Sequence, residues 1–510
     1  MTQEKKEQKH IDAAPLLFAI FMIAICGIIY ELIIGAISSY LLGNSVKQYS
    51  ITIGLFMSAM GIGSYLSKRF RRNLFDTFVA VELSIGLVGG LSAILLFASY
   101  AFINMYYLVM YLTIIIIGIL VGLEIPLITR IIEEKENNLR LTIANVLSFD
   151  YIGALLGSLA FPLILLPNLG EIRTAFLIGL VNIGVAMIVI FKYQKFIKNI
   201  VLMKTLAVIF ALIILIGFIT GDYTADLIED SFYRDQIIYS KQTAYQKMVV
   251  TKHRDDLRLF LDGNIQFSSL DEYRYHEALV HPAMSLAAQQ ENVLILGGGD
   301  GMAARELLKY DQVKRIVLVD LDPEVVAFCR ENPLVKQLNG NALRHDKVEV
   351  INGDAYKYLE TSQERFDVII VDLPDPNNES LNKLYTNLFY RLLYKRLNDG
   401  GTAAIQSTSP YYANEAYWCI RKTVASEGFY TSGYHINVPS FGDWGFTLAS
   451  NRPLSKDRID ITVPTRYLSN DVAKAAFEFG KDEQTAYDQV EINSLTNPVL
   501  LQYYQKAWGR

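Results

Sequence analysis

The sequence predicts two units of different fold class: an N-terminal all-α membrane domain of seven helices, and a C-terminal Rossmann-like α/β domain preceded by a small β-strand subdomain. Three observations support this division. Hydrophobic residues make up 52% of the chain and are concentrated before about residue 221. Beyond that point, short apolar runs alternate with helical patterns. The segment LILGGGDG at 294–301 has the form of a nucleotide-binding turn between a strand and a helix.

Length, net charge and cysteine count limit which classes of function the chain can have. The chain has 510 residues, enough for two domains, and a net charge of −5 provides no basic stripe, so nucleic acid is not an expected partner. Its three cysteines, Cys26, Cys329 and Cys419, are widely spaced and suggest neither a disulfide framework nor a CxxC metal site. We therefore expect no structural metal.

The N-terminal domain is predicted at residues 15–221, after a cytoplasmic tail at 1–14. Seven apolar stretches reach the roughly 20 residues that one bilayer crossing needs. They are 15–40, 49–67, 77–99, 103–129, 142–166, 173–191 and 200–220. A cleaved signal peptide is not expected, because the first stretch is too long and is followed by further spans.

Positive charge between the spans predicts their orientation. The cations are concentrated in three loops, at 68–72, 130–140 and 192–198, and the positive-inside rule makes these loops cytoplasmic. Seven crossings then leave the C-terminal half on the outer side of the membrane.

The C-terminal half begins with a β-strand subdomain, predicted at 222–275. Residues 236–267 alternate as paired strands do, and Asp262-Gly263 is a turn dipeptide. The Rossmann-like domain is predicted at 276–510. Its buried strands are VLILG, RIVLVD, VEVI, FDVIIVD and AAIQS, separated by helices near 301–310 and 323–331.

Acidic residues follow these strands where ligands of such sheets bind, beyond the carboxyl ends. They are Asp320, Asp354, Asp372 and Asp375. Asp320 lies about 20 residues after the glycines, the spacing at which a carboxylate accepts hydrogen bonds from a ribose.

Asp300 follows Gly297, Gly298 and Gly299 in the turn. A carboxylate here would repel the carboxylate tail of S-adenosylmethionine but attract the bare ammonium of its decarboxylated form. The turn therefore suggests aminopropyl transfer rather than methylation. The alternative is that Asp300 only caps the following helix.

Seven short motifs follow one another along the C-terminal half of the chain. They are YQKM (245–248), LDGNIQ (261–266), DEYRYHE (271–277), GGGDG (297–301), VDLD (319–322), NGDA (352–355) and DLPDP (372–376). From about residue 230 to 450 the chain resembles the polyamine aminopropyltransferases, or spermidine synthases, which have a methyltransferase-type fold. Its N-terminal half resembles the multi-span domain of the membrane-fused members.

The resemblance implies a role for each matching residue. The donor-binding residues would be Gln246, Gln266, Gly297, Gly299, Asp320, Asp354 and Ala355, with Asp300 pairing with the aminopropyl ammonium. The acceptor amine would contact Tyr245, His276, Asp375 and Gln406, and Asp372 would accept its proton. Decarboxylated S-adenosylmethionine would be a co-substrate, with no tightly bound cofactor. Putrescine would give spermidine and methylthioadenosine.

The chain departs from the family pattern at four places. Asp320 stands where soluble members have a glutamate, and DLPDP lacks the hydroxyl residues of their motif. NNESLNKLY (377–385) replaces a Gly-Pro segment, and the loop at 438–446 carries Phe441 in place of a tyrosine-bearing sequence. We expect these changes to affect acceptor specificity more than any other property.

Other interpretations stay open at this stage. Glu31, Glu82, Glu124 and Asp150 fall inside apolar spans, where they would either line a polyamine path or be protonated packing residues. The chain could then be a polyamine transporter or sensor whose C-terminal domain only binds ligand. An S-adenosylmethionine-dependent amine N-methyltransferase is a third reading. Supply of the donor from the cytosol favours a cytoplasmic catalytic domain, against the loop charges, and the resemblance suggests a homodimer.

Overall fold

The computed structural model describes residues 13–43, 45–103, 105–136, 138–233, 235–484 and 487–508. The described residues divide into two compact units, one within 1–234 and the other within 235–510. The first unit is built from helices: α1 Ala14–Leu42, α2 Ser45–Leu66, α3 Leu74–Ala98, α4 Tyr106–Glu136, α5 Leu139–Ala160, α6 Leu166–Lys192 and α7 Ile200–Phe232.

Six helical runs among the described residues are long and apolar enough to cross a membrane. The sequence suggested seven, because it treated 142–166 and 173–191 as separate spans. In the structure these belong to one run of 54 residues, Leu139–Lys192. A π-helical turn at Phe161–Leu165 joins α5 to α6, and the regular helix breaks only at Gly170, where φ is 66°.

The last N-terminal helix extends further than its apolar stretch indicated. Helix α7 continues to Phe232, past the predicted subdomain boundary at residue 222. The first strand begins at Gln236, the residue at which the paired-strand pattern of the sequence begins. Charged and polar residues after Gly221 end the apolar stretch, but they do not end the helix.

The second unit opens with a small antiparallel sheet of four strands, in the order β1-β2-β3-β4. The strands are β1 Gln236–Gln242, β2 Lys247–His253, β3 Asp256–Leu261 and β4 Asn264–Ser268. Asp262 and Gly263 form the two-residue connection between β3 and β4 with positive φ values of 47° and 75°. A tight hairpin turn needs this left-handed conformation, so the predicted turn is confirmed.

A seven-stranded sheet forms the centre of the second unit. Its strands are β5 Asn292–Gly297, β6 Arg315–Asp320, β7 Val348–Asn352, β8 Phe366–Asp372, β9 Leu397–Gln406, β10 Tyr430–Val438 and β11 Gly442–Ser450. Their order is β10-β11-β9-β8-β5-β6-β7, and β11 alone in this sheet runs opposite to its neighbours.

Helices cover the two faces of this sheet. They are α8 Glu272–Leu286, α9 Met302–Leu307, α10 Pro323–Glu331, α11 Pro333–Leu338, α12 Ala355–Thr361, α13 Glu379–Asn382, α14 Asn387–Arg396, α15 Asn414–Ala425, α16 Asn470–Ala475 and α17 Val499–Ala507. The central strands are buried on both faces, as their continuous apolar sequences require.

The chain reverses its direction of travel across the sheet at β5. From β5 it moves outward to β6 and then β7, and it returns to place β8 on the other side of β5. A crevice opens at such a switch point beyond the carboxyl ends of the strands. The predicted Rossmann-like fold is therefore confirmed, and the strand-end acids lie at this edge of the sheet.

Candidate active site

The glycine turn brings two strand ends into direct contact. Gly297, the last residue of β5, pairs with Asp372, the last residue of β8. It has a φ of 85°, and a Cβ atom there would lie 2.0 Å from the carbonyl oxygen of Asp372. Only glycine satisfies both conditions. The turn thus holds the predicted base directly beside the loop expected to receive the donor.

Asp320 is oriented by backbone amides. At the end of β6, its Oδ2 accepts a hydrogen bond from Gly299 N at 2.9 Å, and its Oδ1 accepts one from Asp322 N at 3.0 Å. Burial raises the pKa of this carboxyl to about 6, although both amide donors oppose the shift. The turn and the acid predicted to face the ribose are therefore joined directly.

Asp322 connects the small sheet to the large one. Its buried carboxylate caps α10 through Glu324 N and also accepts hydrogen bonds from Thr243 Oγ1 at 2.6 Å and Gln246 Nε2 at 3.1 Å. Gln246 is thereby brought to the edge that carries Asp320. Sequence reasoning assigned no role to Asp322 or Thr243, which act here as positioning residues.

Asp354 lies at the same edge, in front of α12. Its Oδ1 caps this helix by accepting a hydrogen bond from Tyr356 N at 2.8 Å, and its Oδ2 lies 2.5 Å from Lys383 Nζ. Burial would raise its pKa, but Lys383 and the amide donors lower it. Ala355, the first residue of α12, is buried. Lys383 belongs to the segment that replaces the family's Gly-Pro sequence.

Asp300 serves two partners. Its Oδ1 accepts a hydrogen bond from Met302 N at 2.8 Å, so the helix-capping alternative describes one oxygen correctly. Its Oδ2 lies 3.8 Å from Nε2 of His276 on α8. The second oxygen is thus directed at a residue of the predicted acceptor site.

His276 is buried and held by an acid at its other ring nitrogen. Its Nδ1 lies 2.9 Å from Glu272 Oε2, and Glu272 is gripped through both oxygens by Arg305 at 2.8 Å and 3.0 Å. Burial lowers the pKa of the imidazole, but Glu272 and Asp300 outweigh this effect and raise it to about 9. His276 is therefore cationic at neutral pH.

Asp372 is the last residue of β8 and interacts electrostatically with His276 and Asp300. Its Oδ1 accepts a hydrogen bond of 2.7 Å from the hydroxyl of Tyr275, which is buried. Burial and the charge of Asp300 raise its pKa to about 6, against the lowering effects of His276 and Tyr275. A carboxylate with this pKa is a stronger base than an exposed one.

Asp375 is held three residues further along by donors from β9, from the loop that follows it and from α17. Its Oδ1 accepts from Gln406 Nε2 at 3.1 Å, and its Oδ2 accepts from Thr408 Oγ1 at 3.2 Å and the Tyr504 hydroxyl at 2.9 Å. Gln406 is fully buried and also donates to the carbonyl of Leu373 at 2.7 Å. The predicted pair Asp375 and Gln406 is therefore in direct contact.

Two predicted residues lie apart from these contacts. The Tyr245 side chain is 54% exposed, and its backbone amide donates to Thr243 Oγ1 at 3.1 Å. The Gln266 amide donates to Asn264 O, within its own strand, at 3.1 Å. The structure thus pairs neither side chain with Asp300 or Asp375.

Several site residues escaped sequence reasoning. Tyr275 is adjacent to His276 in the DEYRYHE motif, and this adjacency was the signal available for it. Arg305 follows the glycine turn, and the sequence assigned it no role of its own. Tyr504 and Thr408 carry no motif, although Thr408 adopts a φ of 59°, a strained conformation typical of functional loops.

One cluster of the described residues has the composition of a metal site: His435, Asp443 and Glu483. Both ring nitrogens of His435 already have hydrogen-bond partners. Nδ1 lies 2.7 Å from Asp443 Oδ1, and Nε2 lies 2.9 Å from Glu478 O. These contacts account for the histidine without a metal ion.

The chain is similar to proteins of known function. Residues 272–458 match the spermine/spermidine synthase domain. The chain is 46% identical over 493 residues to a polyamine aminopropyltransferase of Oceanobacillus iheyensis, covering 96% of each chain. It is 44% identical over 495 residues to a polyamine aminopropyltransferase of Leptospira interrogans, covering 97% of this chain and 99% of that one.

The second unit is also similar to solved structures. One is a spermidine synthase in complex with the transition-state analogue AdoDATO, at 26% identity and a TM-score of 0.47, covering 50% of this chain and 89% of that one. The two curated relatives match nearly the whole chain, including its helical unit. The chain therefore belongs to the polyamine aminopropyltransferase family, and it is an enzyme that transfers an aminopropyl group to an amine.

Proposed function

We propose that the chain transfers the aminopropyl group of decarboxylated S-adenosylmethionine to putrescine, from a catalytic unit anchored to a membrane by its N-terminal helices. Methylthioadenosine and spermidine are the products. The observation that carries the proposal is the set of acids along one sheet edge. Asp300, Asp372 and His276 interact electrostatically there, with Asp375 three residues after Asp372.

The charges of this edge suit the proposed substrates. The donor carries a sulfonium and an ammonium but no carboxylate, and Asp300 would attract that ammonium as it attracts His276 at 3.8 Å. A diamine brings further positive charge, which the carboxylates of Asp372 and Asp375 would attract. A carboxylated donor would meet repulsion at Asp300, which favours aminopropyl transfer over methyl transfer.

The reaction is an in-line displacement. The nitrogen of the amine attacks the methylene beside the sulfonium, the carbon–sulfur bond breaks, and its electron pair leaves with methylthioadenosine. The amine must first lose a proton, and its pKa in water is about 10. Asp372 would accept this proton, while the cationic His276 nearby disfavours the ammonium form of the amine. Holding both substrates in line supplies much of the acceleration.

The nucleoside is assigned to the neighbouring strand ends. Asp320 would accept hydrogen bonds from the ribose, because its orientation is already set by Gly299 and Asp322. Asp354 and Ala355 would border the adenine. Lys383 engages one oxygen of Asp354, so binding there includes rearrangement of that ion pair.

The assignment of Asp372 is tested by Asp372→Asn in the purified full-length protein. We expect methylthioadenosine release to fall by about 10²- to 10⁴-fold, the usual contribution of a general base. Asp399→Asn is the matched control, because Asp399 pairs with Arg452 on the surface with 79% of its side chain exposed. Turnover equal to that of the control would remove Asp372 from the mechanism.

The acceptor is tested with a panel of diamines and polyamines differing in length. We expect the largest kcat/KM for putrescine, the diamine that the proposal names as the acceptor. A larger kcat/KM for spermidine or for a three-carbon diamine would replace putrescine as the substrate.

Membrane anchoring rests on the N-terminal helices. The run Leu139–Lys192 has 54 residues, more than twice the roughly 20 that one crossing needs, and Gly170 interrupts it. We therefore assign two crossings to this run and seven to the unit, with the catalytic domain following residue 235. Full-length protein should remain in the membrane fraction after alkaline carbonate washing. Release into the supernatant would contradict the proposal.

The proposal also includes association of two chains into a homodimer. Association into a homodimer would double the mass measured for the detergent-solubilised protein.

Transport without catalysis is less favoured than catalysis, because the acids of the second unit and the hydrogen bonds that hold them support a catalytic site. Polyamine flux that persisted in the Asp372→Asn protein would support transport as an additional activity.

A further inference from the structure

The helical unit contains a group of buried polar side chains that aminopropyl transfer does not use. Tyr30 on α1, Glu82 on α3, Glu124 on α4 and Asn182 on α6 each have 2% or less of their surface exposed. We call these four residues the acid cluster. Four helices each contribute one member, among otherwise apolar side chains.

The members of the acid cluster interact with one another. Asn182 Nδ2 donates a hydrogen bond of 3.0 Å to Glu82 Oε2. The carboxyl groups of Glu82 and Glu124 interact electrostatically with each other, and the Tyr30 hydroxyl interacts electrostatically with both. They therefore form a single site rather than four separate polar residues.

Most oxygen atoms of the acid cluster have no partner. Glu82 Oε1, both carboxylate oxygens of Glu124, Asn182 Oδ1 and the Tyr30 hydroxyl make no hydrogen bond in the described structure. Buried acceptors without donors are costly, and charged ones are the most costly. A proton shared by the two acids would satisfy only part of this demand. The remaining oxygens need a ligand that donates hydrogen bonds and carries positive charge.

We propose that the acid cluster binds an alkylammonium group of a polyamine, at a site separate from the catalytic one. An ammonium has three donors and no acceptor, which complements a set of unpartnered oxygens. A tyrosine ring attracts an ammonium placed over its face, and the surrounding buried side chains of the helical unit are apolar, as an attached methylene chain requires. Because the second unit makes and consumes amines, the chain works where such ligands are present.

The test is equilibrium dialysis of radiolabelled spermidine against the purified full-length protein in detergent. We expect the wild type to bind one spermidine molecule per chain more than Glu124→Gln, which is two against one if the catalytic site also binds this product, with the aminopropyl-transfer rate unchanged. Glu31→Gln is the matched control, because Glu31 is a buried acid of α1 outside the acid cluster, and it should still bind as many as the wild type. The transfer rate of the same samples shows that each variant is folded.

Two results would overturn the proposal. One is as many bound spermidine molecules in the Glu124→Gln protein as in the wild type. The other is radiolabelled sodium ion binding to the wild type, lost in Glu124→Gln and not displaced by spermidine, which would make this a metal-ion site. If Glu124→Gln does not fold, Tyr30→Phe removes a single hydroxyl and should weaken the second site about tenfold; unchanged affinity would also overturn it. Failure of putrescine as acceptor would appear in the transfer assay alone.

Discussion

At the scale of single residues, the site depends on how a few carboxylates are held. Asp372 has one oxygen fixed by Tyr275 at 2.7 Å, whereas Asp375 is fixed by three donors, from β9, the loop after it and α17. This difference fits a division of roles. Under the proposed mechanism, Asp372 would accept a proton and Asp375 would stay in place and bind an amine.

Tyr275→Phe should change the pH dependence of the reaction. The pKa of Asp372 is raised to about 6, so the base becomes protonated and activity falls as the pH drops through that value. The Tyr275 hydroxyl favours the ionised form, and its removal raises the pKa further. We expect the acidic limb of the kcat/KM profile to move up by about one pH unit, since a hydrogen bond to a charged group contributes about 1.5 kcal/mol or more.

Tyr273→Phe provides the control for this pH experiment. Tyr273 is on the same helix two residues earlier, and its ring contacts the Arg466 guanidinium rather than Asp372. A profile that is unmoved in the Tyr275→Phe protein, or that moves to lower pH, would show that this hydroxyl does not tune the base.

At the scale of elements, the sheet edge is completed by the C-terminal helix. Tyr504 on α17 reaches Asp375 across 129 residues of sequence. This helix lies outside residues 272–458, the part that matches the family domain. An element beyond the matched domain thus supports a residue of the proposed acceptor site.

Tyr504→Phe should weaken amine binding while leaving the chemical step nearly intact. Loss of one donor to Asp375 at 2.9 Å is expected to raise KM for the amine about tenfold, with little change in kcat or in KM for the donor. Tyr503→Phe is the neighbouring control, because its hydroxyl contacts Glu491 N instead. Equal KM values for the two variants would show that α17 has no part in acceptor binding.

At the scale of the whole molecule, a buried ion network joins α8 to α9 behind the site. Glu306 contacts Arg305 Nε at 2.9 Å, Lys309 Nζ at 2.6 Å and His281 Nε2 at 3.0 Å. Burial alone would raise the pKa of Glu306, but these partners lower it to about 2. The network therefore couples the stability of the second unit to pH.

Glu306→Gln should flatten the acid sensitivity of this unit. Because the folded-state pKa is below its usual value of 4.5, the stabilisation is present above about pH 4.5 and is lost as the pH falls towards 2. The shift corresponds to about 3 kcal/mol. Urea unfolding followed by tryptophan fluorescence measures it, since Trp418, Trp444 and Trp508 all lie in the second unit.

The control for the stability experiment is Glu364→Gln, which breaks an exposed contact with Arg315 and should change stability by less than about 1 kcal/mol. A wild-type protein whose unfolding free energy does not fall between pH 4.5 and pH 2 would contradict the role of Glu306.

Much of this architecture could be predicted from the sequence. Continuous apolar runs located the parallel strands, and the Asp262-Gly263 turn and the helix after Asp322 were recoverable from local patterns. Helix limits were less accessible: α7 passes its last apolar residues, and α5 joins α6 through a π-helical turn. Hydropathy reports where a segment is apolar, whereas a helix ends only where its backbone hydrogen bonds end.

The sequence by itself determined which acids stand at the ends of which strands, because strand periodicity and glycine turns are local properties. Only the tertiary structure decided which donors hold those acids. Tyr504 reaches Asp375, Gln246 reaches Asp322, and Gln266 bonds within its own strand instead. The physical reason is that a side-chain hydrogen bond is fixed by packing between elements far apart in the chain, and no local pattern encodes that distance.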